Sequence, residues 1–503
     1  MKKYTLVFLI TISTSAFAQS WQWCSSEPYE SYVTRKNLIT SDDHNNVYIA
    51  GEKTNPLGSA SVFFVKYDSL GLRLWDTIYP GYGYLSGLAT DHFSNSYISL
   101  FTRYWEGITY HESEGDLIVK YDAGGNIIFK KRPGMFIFMT EHTDFNNELT
   151  FTGPFTKNIL LEHGYSLNLS GADYKLYISK YDLNGECTWA QSADGGNYPL
   201  VVNGKGEMFA RADIYSYPIS VGQGSEQVNL SPGPGDMYLA KYDSLGGLDW
   251  VSQELSCEMT MDNSGNAYSL YPSPTDYHHM YLRKFAAAGG QLWQRTHFYS
   301  PDWYKFAMAC DTSGNIFMTG GFSNSLTIGD TTITVSGLKT FVVKIDSSGV
   351  LQWVTISGGT GNAGAKDISI GDDGAIYITG DMGGTVCFGP HCTTQASGVF
   401  AAKLLDVPQS AATSIAGQVN DNALSVFPNP NSGVFILQYK DAKASSLMLE
   451  IRNSHGQLVF HSSEKCSNGV IVKNIDLSKE PKGIYFLEVI AGNKISTKKI
   501  VLN

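Results

Sequence analysis

The sequence is poor in charged residues, and cations are scarcer than acids. Asp, Glu, Lys and Arg make up 17% of the 503 residues, and 36 Lys and Arg stand against 47 Asp and Glu, for a formal net charge of -11. The acidic excess is concentrated in residues 19–422, whose net charge is -17. Binding of nucleic acid or of an anionic membrane depends on neutralising phosphates with Lys and Arg. The composition therefore predicts neither partner.

Long apolar runs are also lacking. Beyond the first 18 residues, no segment approaches the roughly 18 consecutive apolar residues of a membrane span. Residues 1–18 themselves contain two lysines, Lys2 and Lys3, an apolar core and the small-residue site Ala16-Phe17-Ala18. These features predict a secretory signal peptide that is cut before Gln19. The mature protein is expected outside the cytoplasm, without a membrane span.

Motifs for catalysis are missing as well. The sequence contains no G-x-S-x-G elbow, no H-E-x-x-H and no phosphate-binding loop. Paired carboxylates for glycoside chemistry would leave no local spacing if they came from distant repeats. No catalytic residue and no cofactor is assigned, and an enzyme stays an alternative without a motif to support it.

The sequence contains seven cysteines, which is an odd number, so at least one cannot form a disulfide within the chain. Cys387 and Cys392 flank a four-residue segment that should form the tip of a hairpin, where an oxidising compartment would permit a disulfide. A metal site formed by these thiols and His391 is the alternative, but it offers only three ligands.

The sequence contains many copies of one short repeat. Aligned on a central lysine, seven copies are spaced 43 to 61 residues apart, at Lys66, Lys120, Lys180, Lys241, Lys284, Lys344 and Lys403. In the first six copies a glycine follows the lysine by five residues and an aromatic residue follows by nine. The pattern of apolar run, D-x-x-G turn and second run predicts a β-hairpin, with Gly at the position of positive φ.

A second hairpin unit precedes each copy, most clearly in residues 42–51, 311–320 and 372–380. Each repeat therefore holds about four short strands, which predicts an all-β protein and a β-propeller. The seventh copy lacks a final strand after Lys403, and Trp21-Gln22-Trp23 resembles the Leu351-Gln352-Trp353 strand of the sixth copy. The N-terminal strand is thus expected to complete the last of seven blades, leaving few exposed sheet edges.

The repeated Lys and Asp residues have two interpretations each. Seven lysines could form a functional ring of cations, but periodic packing of their aliphatic stems explains them better. The D-x-S-G-N turns could bind calcium, but they lack the closing Glu of a calcium loop, and Asp and Asn commonly bond their own turn backbone. No metal is assigned.

Aromatic residues cluster in the longer connections, which should share one face of the disc. Binding residues often lie in such loops, and exposed aromatic rings suit a sugar or an extended polymer. The residues assigned to ligand binding are Tyr82, Tyr84, Trp105, Tyr299, Trp303 and Tyr304. The alternative is that these rings pack beneath the loops and keep them ordered.

Residues 406–422 are rich in Ser, Ala and Gln and predict a linker after a propeller of residues 19–405. Residues 423–503 alternate polar and apolar residues in about seven runs, which predicts a small Ig-like β-sandwich. This tail resembles the type A C-terminal sorting domain of the type IX secretion system of Bacteroidota. The resemblance rests on four segments, and its motif residues are Pro428, Asn429, Pro430, Gly433, Gly483, Tyr485 and Lys499.

The resemblance implies Sec export to the periplasm, recognition of the tail by the type IX machinery, and release from the cell or attachment to its outer surface. The repeats resemble bacterial β-propeller repeats over roughly residues 21–405, with Phe129 and Ala286 as departures, and this likeness implies a fold without an activity. The sequence thus indicates a secreted or surface protein whose propeller binds a glycan or a protein. The alternatives are an enzyme that degrades an extracellular polymer and a structural or adhesive surface protein.

Overall fold

A computed structural model of the protein describes most of the chain, in some strand residues through the backbone alone. The described residues are 18–28, 36–54, 60–79, 83–106, 109–112, 117–132, 138–139, 144, 146–155, 157–169, 175–193, 200–214, 219–222, 227–231, 237–273, 275–276, 278–300, 303–329, 331–407, 424–428, 431–440, 446–453, 458–465, 470–491 and 494–502. Residues 1–17 of the predicted signal peptide, 408–422 of the predicted linker and residue 423 of the predicted sorting domain lie outside them.

The protein is all-β, as predicted, and its contacts divide it into two compact units. The larger unit spans Phe17–Pro408 and the smaller contains Gln409–Asn503. In the larger unit, seven antiparallel sheets share a pattern of four main strands, and we number these sheets 1 to 7 along the chain. The chain begins with β1 (Ala18–Pro28), which belongs to sheet 7.

Sheets 1 to 3 follow one another along the chain. Their main strands are β2 (Asn37–Ser41), β3 (Val47–Thr54), β4 (Ala60–Tyr67) and β5 (Arg73–Tyr79), then β6 (Gly83–Thr90), β7 (Ser96–Glu106), β9 (Leu117–Tyr121) and β10 (Ile127–Lys131), then β11 (Phe138–Met139), β12 (Leu149–Phe155), β15 (Lys175–Tyr181) and β16 (Cys187–Ala193).

Sheets 4 to 6 repeat the arrangement. Their main strands are β17 (Leu200–Val202), β18 (Met208–Asp213), β21 (Met237–Tyr242) and β22 (Leu248–Ser252), then β23 (Glu258–Met261), β24 (Ala267–Pro272), β25 (His279–Phe285) and β26 (Gln291–Tyr299), then β27 (Trp303–Cys310), β28 (Ile316–Phe322), β31 (Lys339–Ile345) and β32 (Leu351–Ile356).

Sheet 7 combines both ends of the unit, in the order β33 (Asn362–Ile370), β34 (Ala375–Phe388), β35 (His391–Val407) and β1. Trp23 of β1 pairs with Lys403 of β35, in the same register in which Trp353 pairs with Lys344 in sheet 6. β35 continues through Asp406 to Val407, two residues into the segment that the sequence assigns to the linker.

Insertions lie between the second and third strands of several sheets. They are β8 (Thr109–Glu112), β13 (Ile159–Leu160) and β14 (Ser166–Leu167) around a 3-10 turn (Glu162–Gly164), β19 (Ile219–Val221) and β20 (Val228–Leu230), and β29 (Ser325–Ile328) and β30 (Thr331–Thr334). In sheet 7 the same connection is the long β34–β35 hairpin, whose tip carries a disulfide between Cys387 and Cys392.

Turns of the D-x-x-G type join the third and fourth strands of sheets 1 to 4 and 6, and sheet 5 has Ala286 in place of the Asp. In the first of these turns, the Asp68 carboxylate accepts hydrogen bonds from the backbone N–H groups of Leu70 and Leu72, at 2.9 and 2.8 Å. The carboxylate thereby stabilises the turn in which it lies. Gly71 closes the turn at φ +81°, a conformation that a side chain disfavours.

Several of these turns also accept hydrogen bonds from the preceding sheet. The Lys66 ammonium and the Trp75 indole N–H of sheet 1 both donate to the carbonyl of Ala123, in the turn of sheet 2, at 3.1 Å each. Lys284 and Trp293 of sheet 5 donate likewise to Ser347 of sheet 6, at 3.2 and 3.3 Å. Two donors, one of them charged, thus share one backbone acceptor across the boundary between sheets.

The same contact joins the last sheet to the first. Lys403 of β35 and Trp23 of β1 both donate to the carbonyl of Ser69, in the turn of sheet 1, at 3.3 and 3.2 Å. Between sheets 6 and 7, where sheet 7 has no such turn, Lys344 and Trp353 both donate to the carboxylate of Asp406. Sheet 7 is therefore bonded to both of its neighbours by the repeated residues.

The lysine stems and ammonium groups are buried among partners. Four of the ammonium groups lie 4.8 to 5.2 Å from the centroid of a tyrosine ring in their own sheet, in the pairs Lys66 with Tyr48, Lys120 with Tyr97, Lys284 with Tyr268 and Lys403 with Tyr377. A buried ammonium is costly unless it is paired, and here an aromatic face, a carbonyl and often a turn carboxylate compensate it. The periodic lysine is therefore explained by packing.

The smaller unit has two sheets that enclose one hydrophobic core. The first contains β36 (Leu424–Phe427), β37 (Val434–Lys440) and β40 (Val470–Asp476), and the second contains β38 (Ser446–Asn453), β39 (Leu458–Lys465), β41 (Gly483–Ala491) and β42 (Lys494–Leu502). Leu437 of the first sheet and Leu449 and Leu487 of the second are fully buried in this core.

The contact between sheets 7 and 1 predicts a specific effect of Gly71→Ala. The added Cβ would lie 2.6 Å from the Trp23 ring, whereas at Gly290, which has a similar φ of +84°, a Cβ would meet no atom within 4 Å. Both changes strain the backbone by about 1 kcal/mol, and only Gly71→Ala adds a clash of roughly 1–3 kcal/mol. Equilibrium denaturation monitored by tryptophan fluorescence should show the larger loss for Gly71→Ala, and equal losses would contradict the packing argument.

Candidate functional site

The first strands of the sheets surround a polar cavity in the larger unit. Its volume is about 640 Å³, and residues from β2, β6, β17, β23, β27 and β33 line it. Six of the seven sheets thus contribute their first strand, and Thr152 of β12 adds the second strand of sheet 3. A cavity of this size matches the usual range of ligand-binding clefts, roughly 300–1,000 Å³.

The first strands line the cavity in the same direction. At their C-terminal ends, the Asp43 carboxylate lies 2.7 Å from Nδ1 of His92, and Asn263 Oδ1 accepts a hydrogen bond from the N–H of Gly204. At the opposite end, the Lys36 ammonium before β2 donates to the carbonyl of Ser86 in β6. The cavity consequently has two chemically different ends.

The acidic end consists of Asp42, Asp43, Asp91 and Asp372, with His92. The Tyr48 hydroxyl donates a hydrogen bond to Asp42, and the Tyr97 hydroxyl donates one to Asp91. These two carboxylates therefore accept hydrogen bonds from tyrosines of their own sheets. Burial alone would lower the pKa of His92, but the hydrogen bond to Asp43 and its charge raise the pKa above the usual range. Burial and the like charge of Asp43 raise the pKa of Asp372.

The mixed-charge end consists of Lys36, Arg211, Lys305, Lys366, Glu258 and Asp367. Arg211 donates from Nη1 to the carbonyls of Ser256 and Cys257, at 2.8 and 3.1 Å. Lys366 forms an ion pair with Asp381 at 2.6 Å. Both contacts fix a cation at the wall of the cavity. Lys366 is paired with a carboxylate, whereas the two acceptors of Arg211 are neutral carbonyl groups.

Two carboxyl groups at this end have a raised pKa. Burial raises the pKa of Glu258 to about 7, against the opposing charges of Lys305 and Arg211, and Asp367 raises it further. Burial also raises the pKa of Asp367 to about 6, although the N–H groups of Ile39 and Ile368 donate to its carboxylate at 2.8 and 3.0 Å. Both groups therefore exchange protons close to neutral pH, which is useful for acid–base chemistry and for binding an anion.

The predicted aromatic residues are described only in part. Tyr82 lies outside the described residues, and Tyr84, Trp105, Trp303 and Tyr304 lie in strands whose backbone alone is described at these positions. Tyr299 ends β26 and is partly buried, with its ring centroid 4.7 Å from that of His279 and 6.2 Å from that of His278. Tyr299 is not among the described residues that line the cavity.

The Cys387–Cys392 disulfide stabilises the long hairpin and lies away from the cavity. The two Cα atoms are 4.0 Å apart, and the residues face each other in the β34–β35 register. His391, at the same tip, has Nε2 3.1 Å from the carbonyl oxygen of Trp21, and Gly389 packs beside the Trp21 ring. The hairpin tip thus contacts the N-terminal strand.

The described part of the chain offers neither a metal cluster nor a long helix. No group of three or more His, Cys, Asp and Glu side chains in it is arranged to hold a metal ion. Among the same residues, no helix is long and apolar enough to cross a membrane.

Most of the predicted sorting-motif residues have described positions in the smaller unit. Pro428 is exposed, whereas Asn429 and Pro430 lie outside the described residues. Gly433 has φ +105° and its carbonyl accepts a hydrogen bond from the N–H of Leu477. Tyr485 is buried beside β42 and its hydroxyl donates to the carbonyl of Pro481, while Lys499 is exposed on β42.

The charged groups of the cavity were not identified from the sequence. Each is a single residue in a different repeat, so no repeat alignment selects it. One signal is present in retrospect, since Glu258 and Asp367 each stand four residues before the start of their turn, at Asp262 and Gly371. Both carboxylates therefore stand at the same distance before a turn.

Comparisons with known proteins support the assignment of the tail. Residues 425–503 match a family model described as "Secretion system C-terminal sorting domain". The match supports a cargo of the type IX secretion system that is exported to the cell surface or the extracellular space. No curated protein matches the chain significantly.

Several solved structures resemble the chain weakly. A protein of unknown function from Bacteroides caccae has 9% identity, covers 53% of this chain and 83% of its own, and has a TM-score of 0.29. A eukaryotic initiation factor has 8% identity, coverage of 77% and 98%, and a TM-score of 0.37. A mutant of Synechocystis apocarotenoid oxygenase has 12% identity, coverage of 50% and 58%, and a TM-score of 0.30.

The raised pKa of Glu258 predicts a pH-dependent stability that Glu258→Gln removes. Because the folded protein holds this proton up to about pH 7 and the unfolded chain releases it near 4.5, the group leaves the free energy of unfolding unchanged below about pH 4.5 and lowers it increasingly from there to about pH 7 and above. Glu258→Gln should be more stable than the wild type at pH 8 by about 1–2 kcal/mol and equally stable at pH 4. Denaturant titrations at both pH values measure this, with Glu480→Gln as the control. A wild-type pH profile in the variant would contradict it.

Proposed function

We propose that the protein is a type IX cargo whose larger unit is a closed seven-bladed β-propeller that binds a ligand in its central cavity. In this proposal residues 1–18 are the signal peptide, 19–405 the propeller closed by the N-terminal strand, 406–422 the linker and 423–503 the Ig-like sorting domain. The propeller is the part that acts outside the cell, and the ligand is a glycan or a protein segment.

Closure of the ring is supported by the contact of sheet 7 with sheet 1. Lys403 and Trp23 meet the Ser69 carbonyl as Lys66 and Trp75 meet that of Ala123. Sheet 7 therefore contacts sheet 1 as sheet 1 contacts sheet 2, which leaves no place for an eighth sheet between them. Seven such sheets, six of which line one cavity with described residues of their first strands, are arranged as in a propeller with a central channel.

The observation that carries the binding function is the composition of the cavity wall. Six first strands bring charged side chains of both signs, with shifted pKa values, to a cavity of about 640 Å³. Charged side chains are rarely placed inside a fold without a ligand or a partner to compensate them. The cavity is therefore favoured over the six aromatic residues as the binding site, and those residues are proposed as a second contact surface for a longer ligand.

An enzyme that cleaves an extracellular polymer is the second candidate function. It is favoured by one observation, the presence of Glu258 and Asp367 at the same end of one cavity with pKa values of about 7 and 6. A protonated and an ionised carboxyl are the pair that glycoside hydrolysis requires. Release of reducing ends from a bound glycan, and its loss in Glu258→Gln, would distinguish this function from binding alone.

The export assignment predicts where a truncated protein accumulates. Removal of residues 423–503 deletes the segment that matches the sorting domain and leaves the proposed signal peptide and propeller intact. The truncated protein should be found in the periplasm, whereas the full chain reaches the surface or the medium. Cell fractionation and whole-cell labelling measure this, and surface exposure of the truncated protein would refute the assignment.

The cavity assignment predicts that a large side chain at the cavity wall prevents binding. Asp372 is exposed at the acidic end, so Asp372→Trp should fill space there without disturbing a sheet. The full chain, applied to an array of extracellular polysaccharides and matrix proteins, should retain a ligand that Asp372→Trp loses at least tenfold. Lys157→Trp, which places the same side chain on an exposed turn, should bind as the wild type does.

Tyr299→Ala completes this experiment because it tests the second surface. Loss of binding in Tyr299→Ala with normal binding in Asp372→Trp would move the site to the aromatic residues. Equal retention by all variants would refute both sites.

A further inference from the structure

Two opposite charges face the cavity from neighbouring strands and have no partner. Glu258 is on β23 and Lys305 is on β27, and these two strands contact one another. The charge of Lys305 acts on the Glu258 carboxyl, but the two groups form no ion pair. Among the described residues, neither side chain has a hydrogen bond or an ion pair. Lys305 is exposed and Glu258 is half-buried, and both line the cavity, so both side chains are accessible to a ligand.

The surrounding side chains make this end of the cavity locally positive. Four of the 24 Lys and Arg residues in the segment 19–422 lie here, namely Lys36, Arg211, Lys305 and Lys366. The described carboxyls that line this end are Glu258 and Asp367, both with a raised pKa, and Asp381 forms an ion pair with Lys366, in a segment whose net charge is -17. A positive end in a recessed wall attracts small anions more strongly than its few charges would at an open surface.

We infer that the mixed-charge end binds an oxyanion, a carboxylate or a phosphate carried by a small molecule or by the end of a glycan. The Lys305 ammonium donates to one oxygen of the ligand, and Glu258, as the neutral acid, donates its O–H to another. Arg211 and Lys36 add positive charge from the wall. This inference rests on the proposed binding function and names the chemistry of the ligand.

The same geometry makes binding sensitive to pH. Charged or titratable groups that line this part of the cavity are Arg211 from β18, Cys257 beside Glu258, Lys305 and Cys310 from β27, and Lys36, Lys366 and Asp367. Burial raises the pKa of Cys257 to about 12, so that it stays a thiol. Glu258, with a pKa of about 7, and Asp367, with a pKa of about 6, therefore lose their protons first as the pH rises. Their ionisation replaces a donor with a negative charge, and the oxyanion is bound less well.

A polyanion that covers the whole surface does not fit these observations. Residues 19–422 have a net charge of -17, and the four cations named above lie at one end of a cavity of about 640 Å³. A small anion or a chain end is therefore the ligand that charge and size favour.

The experiment compares matched sugars by isothermal titration calorimetry on the full chain. Glucuronate, galacturonate and glucose 6-phosphate are the probes, and glucose and galactose are their neutral counterparts. At about pH 6, the acidic sugars should bind at least tenfold more tightly than the neutral ones. Preference for the two uronates would identify a carboxylate, and preference for the phosphate would identify a phosphate group.

Two variants assign the binding to Lys305 and Glu258. Lys305→Gln should weaken binding of the acidic sugar about tenfold or more, while Lys157→Gln, at an exposed turn, should leave it unchanged. From about pH 6 to pH 8 the wild type should lose affinity several-fold, and Glu258→Gln, which stays neutral, should lose clearly less. Circular dichroism verifies that each variant is folded.

The possible outcomes separate this inference from the proposed function. Equal affinity for acidic and neutral sugars, or an unchanged affinity in folded Lys305→Gln, would overturn the oxyanion site. If in that case Asp372→Trp still abolished retention of a ligand on the array, the binding function would stand with a different ligand chemistry. If, in addition, Asp372→Trp retained every ligand that the wild type retains on the array, both the oxyanion site and the binding function of the cavity would be overturned.

Discussion

The structure of the larger unit depends on one contact, in which a lysine and a tryptophan of one sheet donate to a turn carbonyl of the next. The glycine that closes the turn exposes this carbonyl and leaves room for the indole ring, which lies against it. Because the ammonium is buried, it needs the carbonyl, the tyrosine face and the turn carboxylate together. The residues that recur along the sequence are therefore those that hold neighbouring sheets together, and the first strands are free to carry single, unrepeated side chains toward the cavity.

The exception at Asp406 shows how strict this contact is. Sheet 7 has no turn between its third and fourth strands, because its fourth strand is β1 from the other end of the unit. Lys344 and Trp353 would then lack an acceptor, and the Asp406 carboxylate accepts hydrogen bonds from both. A side-chain oxygen thus replaces a backbone oxygen where the repeat is interrupted, and sequence alone placed this aspartate in a linker.

Local patterns explain which features were predictable. The all-β character followed from strand alternation and turns, and the sorting domain followed from motifs spread over the tail, so both predictions are confirmed by the strands and by the family match. Glu258 and Lys305 could not be found in this way, since their proximity arises from packing of two sheets and not from spacing. The aromatic residues were chosen by clustering in the sequence, and clustering does not determine whether a ring meets solvent or a neighbour, as Tyr299 beside His279 illustrates.

The pairing of β1 with β35 has a consequence for the order of events during synthesis. Ala18 pairs with Val407, so the first strand to leave the ribosome finds its place only after almost the entire unit has been made. Contacts between such distant residues form slowly, because the intervening chain must first be ordered. Until then, Trp21 and Trp23, which become buried in two different hydrophobic clusters, have no core to enter, and exposed apolar strands of this kind favour aggregation in a nascent chain.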